Sequence, residues 1–539
     1  MDNKFLVNNI SLSIDASFEE AFSVAIKKLD KAGLCANISN CSIFKKSIDA
    51  RKKNDIKLVY TVLISDVRGK LNLDKAKSNG VSTYSYRAPS VEQGDKTLRA
   101  PIIVVGSGPA GLFASLMLAE NGYKPVLIER GGDVSERNKA IENFKNNRIL
   151  DVNTNIQFGA GGAGTFSDGK LVTRINDSMS TYVLERLVEF GAPKEILYNA
   201  RPHIGTDILS IVVENIIERI YTLGGEVRFH TMLTDIEESA GKITAVKTNK
   251  GRLPCSAVVL AVGHSARDTY DMLLSKGVDI IAKPFSVGMR IEHPVSVIDE
   301  GMYGNYAGHP SLGHAEYNLS YNTSERGVYT FCMCPGGEVV AATSEACGVV
   351  VNGMSKHSRN GNNSNSAVCC SIFKDDYGST PNRAIEFQRN IEKLAFLAAG
   401  ADYSAPITTL GDLFDGVFHS QPSLVLPSYM DGEGVKVVNP DKYLPSFVVD
   451  NIKRGIIDFD KKIHGFAMRE AVLTGPETRT SAPIRIVRDN FTRLATGYIN
   501  LYPCGEGAGY AGGITSAAID GVKTAFSIIE TYKPYTGEI

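Results

Sequence analysis

The sequence predicts an α/β protein: a doubly wound parallel sheet, an inserted mixed α+β domain and a small N-terminal α+β domain. Two patterns indicate the parallel sheet, namely strand–turn–helix over residues 101–130 and helix, meander and buried strand over 205–263. A change of pattern between 286 and 455 indicates the insertion. At 539 residues the chain is long enough for two or three domains.

The pattern of residues 1–98 predicts the small N-terminal domain. A strand is followed by a helix with Ser17 as N-cap and Glu20 completing a capping box, and then by strand, basic turn and strand. This βαββ order is typical of a small α+β domain. The basic turn at 45–57 either contacts an acidic partner such as nucleic acid or is the solvated end of a hairpin, and we favour the hairpin.

A glycine-rich turn stands between a strand and a helix at the start of the predicted parallel sheet. The apolar run 102–105 leads into Gly-Ser-Gly-Pro-Ala-Gly at 106–111, and an apolar helical pattern follows over 112–120. A second apolar run ends on Glu129. GxGxxG in this setting, with an acid about twenty residues further on, is typical of a Rossmann-type domain that binds an ADP-containing cofactor.

Each glycine of this turn has its own expected role. Gly106 permits the tight turn, Gly108 lets a pyrophosphate approach the backbone, and Gly111 lets helix and strand pack closely. The helix N-terminus offers free N–H groups to the phosphates, and Glu129 would accept hydrogen bonds from ribose hydroxyls. The cofactor-binding residues predicted from this block are Gly106, Gly108, Pro109, Ala110, Gly111, Glu129 and Arg130.

Four segments make up the predicted domain organisation. After the block at 205–263, Tyr- and Phe-containing strands, an Asn/Ser-rich loop at 352–366 and a helix at 384–399 interrupt the pattern. We expect that loop to be mobile and exposed. The predicted boundaries are 1–98 for the N-terminal domain, 99–285 for the first part of the Rossmann-type domain, 286–455 for the substrate domain and 456–539 for the last part of the Rossmann-type domain.

Two further glycine clusters extend the predicted cofactor site. The first places four glycines within 159–164, which costs chain entropy and makes sense where backbone N–H groups crowd against a ligand. The second, at 501–514, predicts a strand, a Gly-Glu turn and a Gly-Gly pair before a helix. The residues predicted from the clusters and from the returning strand are Gly161, Gly162, Gly164, Thr165, Asp168, Lys170, Gly263, Gly505, Glu506, Gly512, Gly513 and Ile514.

These clusters favour FAD over NAD. A cofactor longer than ADP would extend over all of them, and the helix after the last cluster would aim its dipole at the flavin. The sequence has only one GxGxxG, so a dedicated NAD(P)H domain is not expected. A nicotinamide donor could still enter transiently.

Composition excludes some classes of function. The net charge is −1, so no overall field draws the chain to nucleic acid or to a membrane surface. The N-terminus is charged throughout and the chain has no apolar run of roughly eighteen residues, so we expect neither a signal peptide nor a membrane span. Nine scattered cysteines fit free thiols in the cytoplasm.

Several blocks together resemble a known family. They are the fingerprint, GAGGAGTFSDGKL, LAVGHSARDTY, KPFSVGMRIEHP, YTFCMCPGG, ETRTSAPIRI and YPCGEGAGYAGGITSAAIDG. They are similar to the bacterial family of uncharacterised FAD-dependent dehydrogenases, of the NAD(P)/FAD-dependent oxidoreductase superfamily, with a small N-terminal α+β domain. The resemblance covers nearly the whole chain. It implies FAD and an oxidoreductase activity, and it indicates no substrate.

Five residues are candidates for the reaction. His264 and Arg267 follow the returning strand, which places them at the carboxyl end of the sheet beside the cofactor, and a loop-ordering network is the alternative. Arg290 lies where the chain enters the substrate domain. Glu477 and Arg479, polar groups in an apolar neighbourhood, contact substrate or flavin or form an internal salt bridge. The Cys and His spacings suggest no metal site.

Three cysteines could lie near the flavin. Cys332 and Cys334 are two apart on a predicted strand, so they share a face but are poorly placed for a disulfide, unless the following Pro-Gly-Gly turn relaxes the geometry. A redox pair that communicates with the flavin is one interpretation, and buried packing is the default. Cys504 stands next to the predicted flavin turn.

The sequence therefore predicts a cytoplasmic FAD-dependent oxidoreductase, a dehydrogenase or a reductase. It would transfer a hydride between the flavin and an unidentified organic substrate held between the two large domains. Two alternatives stay open. One is a flavin-dependent enzyme that modifies nucleic acid, and the other is a non-enzymatic flavin-bearing redox sensor. The nucleic acid would be gripped by Lys45, Lys46, Arg51, Lys52 and Lys53.

Overall fold

Three large sheets organise the residues that the computed structural model describes, which are 4–172 and 177–534. The N-terminal domain has a four-stranded sheet, the Rossmann-type domain a five-stranded sheet and the second domain a seven-stranded sheet. Short 3₁₀ helices lie between the main elements, at Ile38–Asn40, Ala163–Phe166, Lys194–Leu197, Gly304–Tyr306, Tyr429–Gly432 and Pro440–Lys442.

The N-terminal domain confirms the predicted βαββ unit. Its elements are β1 (Lys4–Ser13), α1 (Phe18–Lys31), β2 (Leu34–Cys35), β3 (Cys41–Asp49), β4 (Lys57–Ile64), β5 (Arg68–Gly69), α2 (Leu73–Asn79), β6 (Val81–Tyr84) and β7 (Lys96–Thr97). The antiparallel sheet has the order β3-β4-β1-β6, and α1 packs Ala25 and Leu29 against it. Ser17 and Glu20 form the predicted capping box at the start of α1.

The remaining elements follow in three groups. The first part of the Rossmann-type domain contains β8 (Ile102–Val105), α3 (Pro109–Glu120), β9 (Val126–Ile128), α4 (Val134–Asn147), α5 (Met179–Glu189), α6 (Thr206–Thr222), β10 (Glu226–Arg228), β11 (Leu233–Ser239), β12 (Lys242–Thr248), β13 (Gly251–Pro254), β14 (Ala257–Leu260), α7 (Arg267–Ser275) and β15 (Ile280–Ala282). The second domain contains β16 (Phe285–Pro294), α8 (Val295–Tyr303), β17 (Ser320–Asn322), β18 (Gly327–Cys334), β19 (Glu338–Ala341), β20 (Val351–Met354), β21 (Asn363–Ile372), α9 (Lys374–Tyr377), α10 (Pro381–Ala398), β22 (Ala405–Thr409), α11 (Leu410–Asp415), β23 (Val435–Val437), α12 (Ser446–Asp460) and β24 (Val472–Glu477). The chain then returns with β25 (Ile484–Ile486), β26 (Leu501–Pro503), α13 (Ile514–Ile529) and β27 (Tyr532–Lys533).

The five-stranded sheet is parallel and covered on both faces. Its order is β10-β9-β8-β14-β26, so strands that are distant in sequence lie side by side. Along β8, Ile102 and Val104 pack towards α3, α6 and α13, whereas Ile103 and Val105 pack towards the meander β11–β13 and α7. Burial on both faces is why these strands are apolar throughout and do not alternate. The predicted meander and the predicted helix before it are both confirmed.

The second domain is built on a mixed sheet with the order β17-β18-β21-β16-β24-β22-β23. Helix α12 packs its apolar stripe, which includes Ile452, Ile456 and Phe459, against this sheet. The helix predicted at 384–399 is confirmed as α10. No helix in the described ranges has the length and apolarity that crossing a bilayer requires.

The Asn/Ser-rich stretch 352–366 corrects an expectation. The middle, 355–362, is a loop with several exposed residues as expected, but the ends lie in β20 and β21, and residues 364–366 are buried. Two of the buried polar side chains have partners: Arg290 donates to the Asn365 amide oxygen at 2.8 Å, and the Ser366 hydroxyl lies 2.8 Å from the Tyr317 hydroxyl. Composition alone could not reveal partners that come from another strand.

The chain passes between the two large domains through two neighbouring connections. It enters the second domain from β15 into β16 and returns from β24 into β25. Strand β15 pairs with β25 and β16 pairs with β24, and both pairs are antiparallel. The sheet of the second domain extends to Glu477, at the end of β24, whereas we expected this domain to end at 455. Helix α12 and strand β24 both pack into the second domain.

A buried charge network joins the two large domains. The Glu392 carboxylate of α10 pairs with Arg267 of α7 at 2.7 Å and with Arg479 at 2.9 Å. Gln388 accepts a further hydrogen bond from Arg267 at 3.0 Å. Burial would raise the pKa of Glu392, but the charges of the two arginines overcome it and lower that pKa.

Removing the shared anion of this network should destabilise the protein. We expect Glu392→Gln to lower the free energy of unfolding by about 3 kcal/mol, because two buried guanidinium groups lose the carboxylate that they share and keep only the partly exposed Glu345 beside them. Chemical denaturation followed by circular dichroism measures the change. Glu386→Gln, at an exposed position of the same helix, is the control and should change it by less than about 0.5 kcal/mol. Similar stabilities of the two variants would contradict the expectation.

Candidate functional site

A cavity of about 1360 Å³ lies at the carboxyl ends of the parallel strands, where Val105, Ile128 and Ala261 reach it. This is larger than the roughly 300–1,000 Å³ of a site for one drug-sized ligand, so a dinucleotide and a second molecule have room. The predicted cofactor residues that line it are Gly106, Gly108, Pro109, Ala110, Glu129, Arg130, Gly162, Gly164, Asp168, Lys170, Gly263, Glu506, Gly512, Gly513 and Ile514. The three predicted glycine bends therefore share one groove.

The first two bends meet backbone to backbone. A Cβ atom built on Gly162 would stand 2.9 Å from the Gly108 Cα, and the Gly161 amide donates to the Ser107 carbonyl at 3.1 Å. A Cβ built on Gly108 would have open space around it, with the Gly162 Cα as its one described neighbour within 4 Å, at 4.0 Å. Helix α3 starts at Pro109, directly beside this space. A glycine cradle in front of a helix N-terminus fits a pyrophosphate.

Four predicted cofactor residues lie behind the cavity wall, namely Gly111, Gly161, Thr165 and Gly505. A Cβ on Gly111 would collide with the Gly106 carbonyl, as expected of the glycine that lets helix and strand pack closely. A Cβ on Gly505 would stand 2.7 Å from the Ala110 Cβ. Because these four residues do not line the cavity, we assign them to the close packing of the bends.

The third bend presents a helix N-terminus to the cavity. Helix α13 begins at Ile514, and a Cβ built on Gly512 or Gly513 would meet no described atom within 4 Å. Glu506 lines the same part of the wall. The positive end of the helix dipole therefore faces the groove, where it favours a negatively charged group.

Glu129 binds the first two bends to each other. One of its carboxylate oxygens accepts from the Ser107 amide at 2.9 Å and hydroxyl at 2.7 Å, and the other accepts from the amides of Gly131 at 2.9 Å and Gly159 at 3.0 Å. A carboxylate has about four acceptor positions, and the protein itself uses all four. A ribose hydroxyl would have to share one of them, so the predicted ribose contact stays a prediction.

Arg137 holds the second bend from the other side. Its fully buried guanidinium donates to the carbonyls of Asn155 at 2.8 Å, Ile156 at 2.6 Å and Ala160 at 2.7 Å. Burial lowers its pKa to about 9, and the charge of Glu129 opposes that shift. Sequence reasoning missed Arg137 because it stands within a polar helix, α4, that carries no motif.

Arg130 closes one end of the cavity. Its guanidinium pairs with Asp268 at 2.6 Å and lies 4.2 Å above the ring of Phe158. Met232 lines the cavity beside it. Its charge is thus already matched by a carboxylate, and the flat guanidinium forms part of the wall.

Asp168 and Lys170 link the cavity to the second domain. The Asp168 carboxylate pairs with Arg359, and Arg359 also pairs with Glu316 at 2.6 Å. The Lys170 amino group lies 3.8 Å from Asp168 and 3.7 Å from Glu316, and it donates to the Met333 carbonyl. Both predicted residues line the cavity while serving as contacts between the domains.

His264 reaches the cavity as a neutral imidazole. Its Nε2 lies 2.9 Å from the Arg479 carbonyl, and because a carbonyl only accepts, Nε2 carries the proton. Burial lowers the pKa of His264. Arg479 also lines the cavity, whereas Arg267 is enclosed by the Glu392 network. For Arg267 the geometry favours the loop-ordering alternative.

Glu477 is the predicted reaction residue with the most unusual environment. It lines the cavity, is 3% exposed, and accepts two hydrogen bonds from Arg290 at 2.8 and 3.0 Å. Burial raises its pKa to about 7, against the charge of Arg290 and with a further rise from Cys332. Arg290 itself is enclosed by Glu477, Asn365 and the strand end of β18, so it positions Glu477.

The second domain contributes wall residues that no motif marked. These residues lie in or beside β17 and β18, and they include Tyr317, Asn318, Ser320, Asn322, Tyr329 and Thr330. Only the Tyr and Asn content of these segments hinted at them. Within the described ranges, no group of three His, Cys, Asp or Glu side chains could hold a metal ion.

The basic turn of the N-terminal domain packs partly against the other domains. Lys46 pairs its backbone with Tyr198 and Ala200, and the Lys53 amino group donates to the Gly301 carbonyl. Arg51 is exposed and pairs with Asp49 at 2.6 Å. Binding of nucleic acid by this turn stays a prediction.

Family models match three parts of the chain. Residues 284–480 match "FAD-dependent protein, C-terminal domain-like", residues 99–152 match an FAD binding domain, and residues 6–65 match a domain of unknown function. An "uncharacterized protein" of Clostridium beijerinckii is 46% identical over 530 residues, which cover 98% of each chain.

Solved structures show only distant likeness. L-amino acid deaminase from Proteus vulgaris is 10% identical with a TM-score of 0.35, over 83% of this chain and 94% of that one. Glycine oxidase from Bacillus cereus is 12% identical with a TM-score of 0.35, over 81% and 99%. CtdE in complex with FAD is 11% identical with a TM-score of 0.32, over 79% and 83%. Such TM-scores support no inference about the substrate.

The cradle at Gly108 gives a direct test of the groove. We expect Gly108→Val to be purified folded but colourless, because its side chain would occupy the space between the first two bends that a pyrophosphate needs. The visible spectrum measures retained FAD. The thermal midpoint, compared with that of wild type stripped of cofactor, is the control for folding. A Gly108→Val protein that stays as yellow as wild type would show that the cofactor lies elsewhere.

Proposed function

The chain belongs to a family of FAD-dependent proteins with FAD as cofactor, and we propose that it transfers a hydride between FAD and an organic substrate held against the second domain. The cavity at the carboxyl ends of the parallel strands supports this proposal. Three glycine bends line one part of it, and strands of the second domain line another. A cofactor in the bends and a substrate at those strands would share one enclosed space.

Two of the glycine bends have features that suit FAD. Gly108 and Gly162 leave backbone space for the pyrophosphate beside the start of α3. The N-terminus of α13, at Gly513, offers a positive dipole end to the flavin, which stabilises negative charge on its reduced form. When bound, FAD supplies two-electron chemistry at flavin N5.

Glu477 is the side chain best suited to move a proton during this transfer. It stands at the wall with a pKa of about 7, so at neutral pH it can either accept or donate a proton. Charged or titratable groups face it from three strands: Arg290 from β16, Cys332 from β18 and Cys369 from β21. His264 stays neutral and serves as a polar wall group.

Replacing Glu477 should reveal both its role and the direction of the reaction. We expect Glu477→Gln to slow flavin reduction by substrate about 10²- to 10⁴-fold, because the proton acceptor is lost. In wild type that rate should rise as the pH passes about 7, since only the carboxylate accepts a proton. Stopped-flow absorbance measures both. If the substrate instead reoxidises the reduced flavin, at a rate that falls as the pH passes about 7, Glu477 is a proton donor and the protein a reductase.

A half-buried carboxyl outside the main cavity provides the control. The pKa of Glu338 is also raised by burial, but this residue lies outside the main cavity. Glu338→Gln should keep the wild-type rate and pH profile. Equal losses in both variants would mean that general destabilisation, not proton transfer, explains the effect.

The electron partner can be identified by anaerobic titration. Purified protein is mixed with NADH, with NADPH and with candidate organic substrates, and bleaching of the flavin is recorded. Bleaching by a nicotinamide would identify a reductase with a transient NAD(P)H partner, and bleaching by an organic donor alone would identify a dehydrogenase. A cytoplasmic location is part of the same proposal, since no structural disulfide joins any of the nine cysteines.

A further inference from the structure

Strand β18 ends irregularly at the wall of the cavity. Its register with β21 shifts between Phe331 and Cys334, and Cys332 has a φ of +46°, a left-handed conformation that residues other than glycine adopt rarely. Cys332 lines the cavity and is partly exposed, whereas Cys334 is buried behind it. The kink thus places one thiol at the wall and the second directly behind it.

The Cys334 thiol turns back towards Cys332. Residues two apart on a straight strand have Cα atoms roughly 6.6 Å apart, near the upper limit of about 6.8 Å for a disulfide. At the kink, the Cys334 thiol donates a hydrogen bond to the Cys332 carbonyl at 3.3 Å, and the two thiols shift each other's pKa. The kink therefore departs from the straight-strand geometry that disfavours a disulfide.

Positive charge surrounds this pair. The Arg290 guanidinium lies 3.8 Å from the Cys334 sulfur and donates to the Cys332 carbonyl, and the Lys170 amino group donates to the carbonyl of the residue between them. The hydrogen bond from Cys334 and these charges lower the pKa of Cys332, against burial and the negative charge of Asp168. The pKa of Cys334 is raised.

The pair differs from the other buried cysteines. Burial raises the pKa of Cys255, Cys369, Cys370 and Cys504, which makes those thiols inert. Cys504, which the sequence placed near the flavin, instead accepts a hydrogen bond from Thr524 behind the wall. A thiolate-forming cysteine beside a proton-bearing one is the arrangement of a redox-active pair.

We propose that Cys332 and Cys334 form a reversible dithiol–disulfide couple that exchanges two electrons with FAD across the cavity wall. The proposal rests on the proposed function, because FAD is the electron partner. In the oxidising direction an S–S bond forms between the Cys332 thiolate and Cys334, and the S–H bond of Cys334 breaks. Two electrons and that proton pass to oxidised FAD, which becomes the reduced anion FADH⁻. The reverse step cleaves the disulfide.

Counting electrons tests the couple in the intact holoenzyme. Oxidised wild type is titrated anaerobically with dithionite while the visible spectrum is recorded. We expect about four electrons per FAD before reduction is complete, two for the flavin and two for the disulfide. Cys334→Ser should take about two, and Cys347→Ser, which removes an exposed cysteine, should still take four.

Thiol labelling gives a second readout that needs no turnover and no variant. Wild type is denatured in iodoacetamide before and after reduction, and the peptide that contains both cysteines is weighed by mass spectrometry. The oxidised peptide should be unlabelled, and the reduced peptide should carry two labels. Wild type that takes only two electrons, with both thiols labelled in each state, overturns the couple. This result stands even if the variants fail to fold.

Failure of the couple and failure of the proposed function look different. A purified chain without a flavin spectrum would contradict FAD-based function, and with it the exchange of electrons with FAD. A yellow protein that binds FAD but shows free thiols throughout would refute the couple alone. Labelling that finds a disulfide which flavin reduction leaves intact would also overturn the proposal, because the pair would then be structural.

Discussion

The candidate site depends on two opposite buried charges that hold one loop between them. Glu129 accepts the amide of Gly159, and Arg137 donates to the carbonyls of residues 155, 156 and 160. A buried ion is costly unless hydrogen bonds replace its hydration. Glu129 accepts four, three from backbone amides and one from the Ser107 hydroxyl, and Arg137 donates three to backbone carbonyls. The loop with its glycines is therefore fixed against the fingerprint turn, and the groove exists before any ligand enters.

The second part of the site is set by contacts between the domains. Arg359 reaches Asp168 over a separation of 191 residues, and the Glu392 network closes the other side. These pairs leave the wall strands of the second domain facing the bends. Arg290 also connects two parts of the wall, because its guanidinium donates hydrogen bonds both to Glu477 and to the end of β18. The proposed proton transfer and the proposed thiol chemistry would thus share one guanidinium, through which a change in either group would affect the other.

The sequence allowed prediction of the features that local chemistry determines. The capping box at Ser17, the meander β11–β13, helix α10 and the three glycine bends each depend on residues close together in the chain. Strand β21 and the role of Arg137 both depend on partners that are distant in the chain. The polar composition of β21 suggested a loop where the structure has a strand, and no sequence pattern marked Arg137. The wall of the second domain could not be predicted, because its strand order is not readable from periodicity.

The two neighbouring connections between β15–β16 and β24–β25 have an evolutionary consequence. Since the second domain leaves and rejoins the Rossmann-type domain at adjacent antiparallel strands, its two ends lie side by side. Such a module can be exchanged or enlarged while the parallel sheet keeps its own hydrophobic layers intact. A relative with the same Rossmann-type domain could therefore act on a different molecule if its second domain were exchanged at these two adjacent strands.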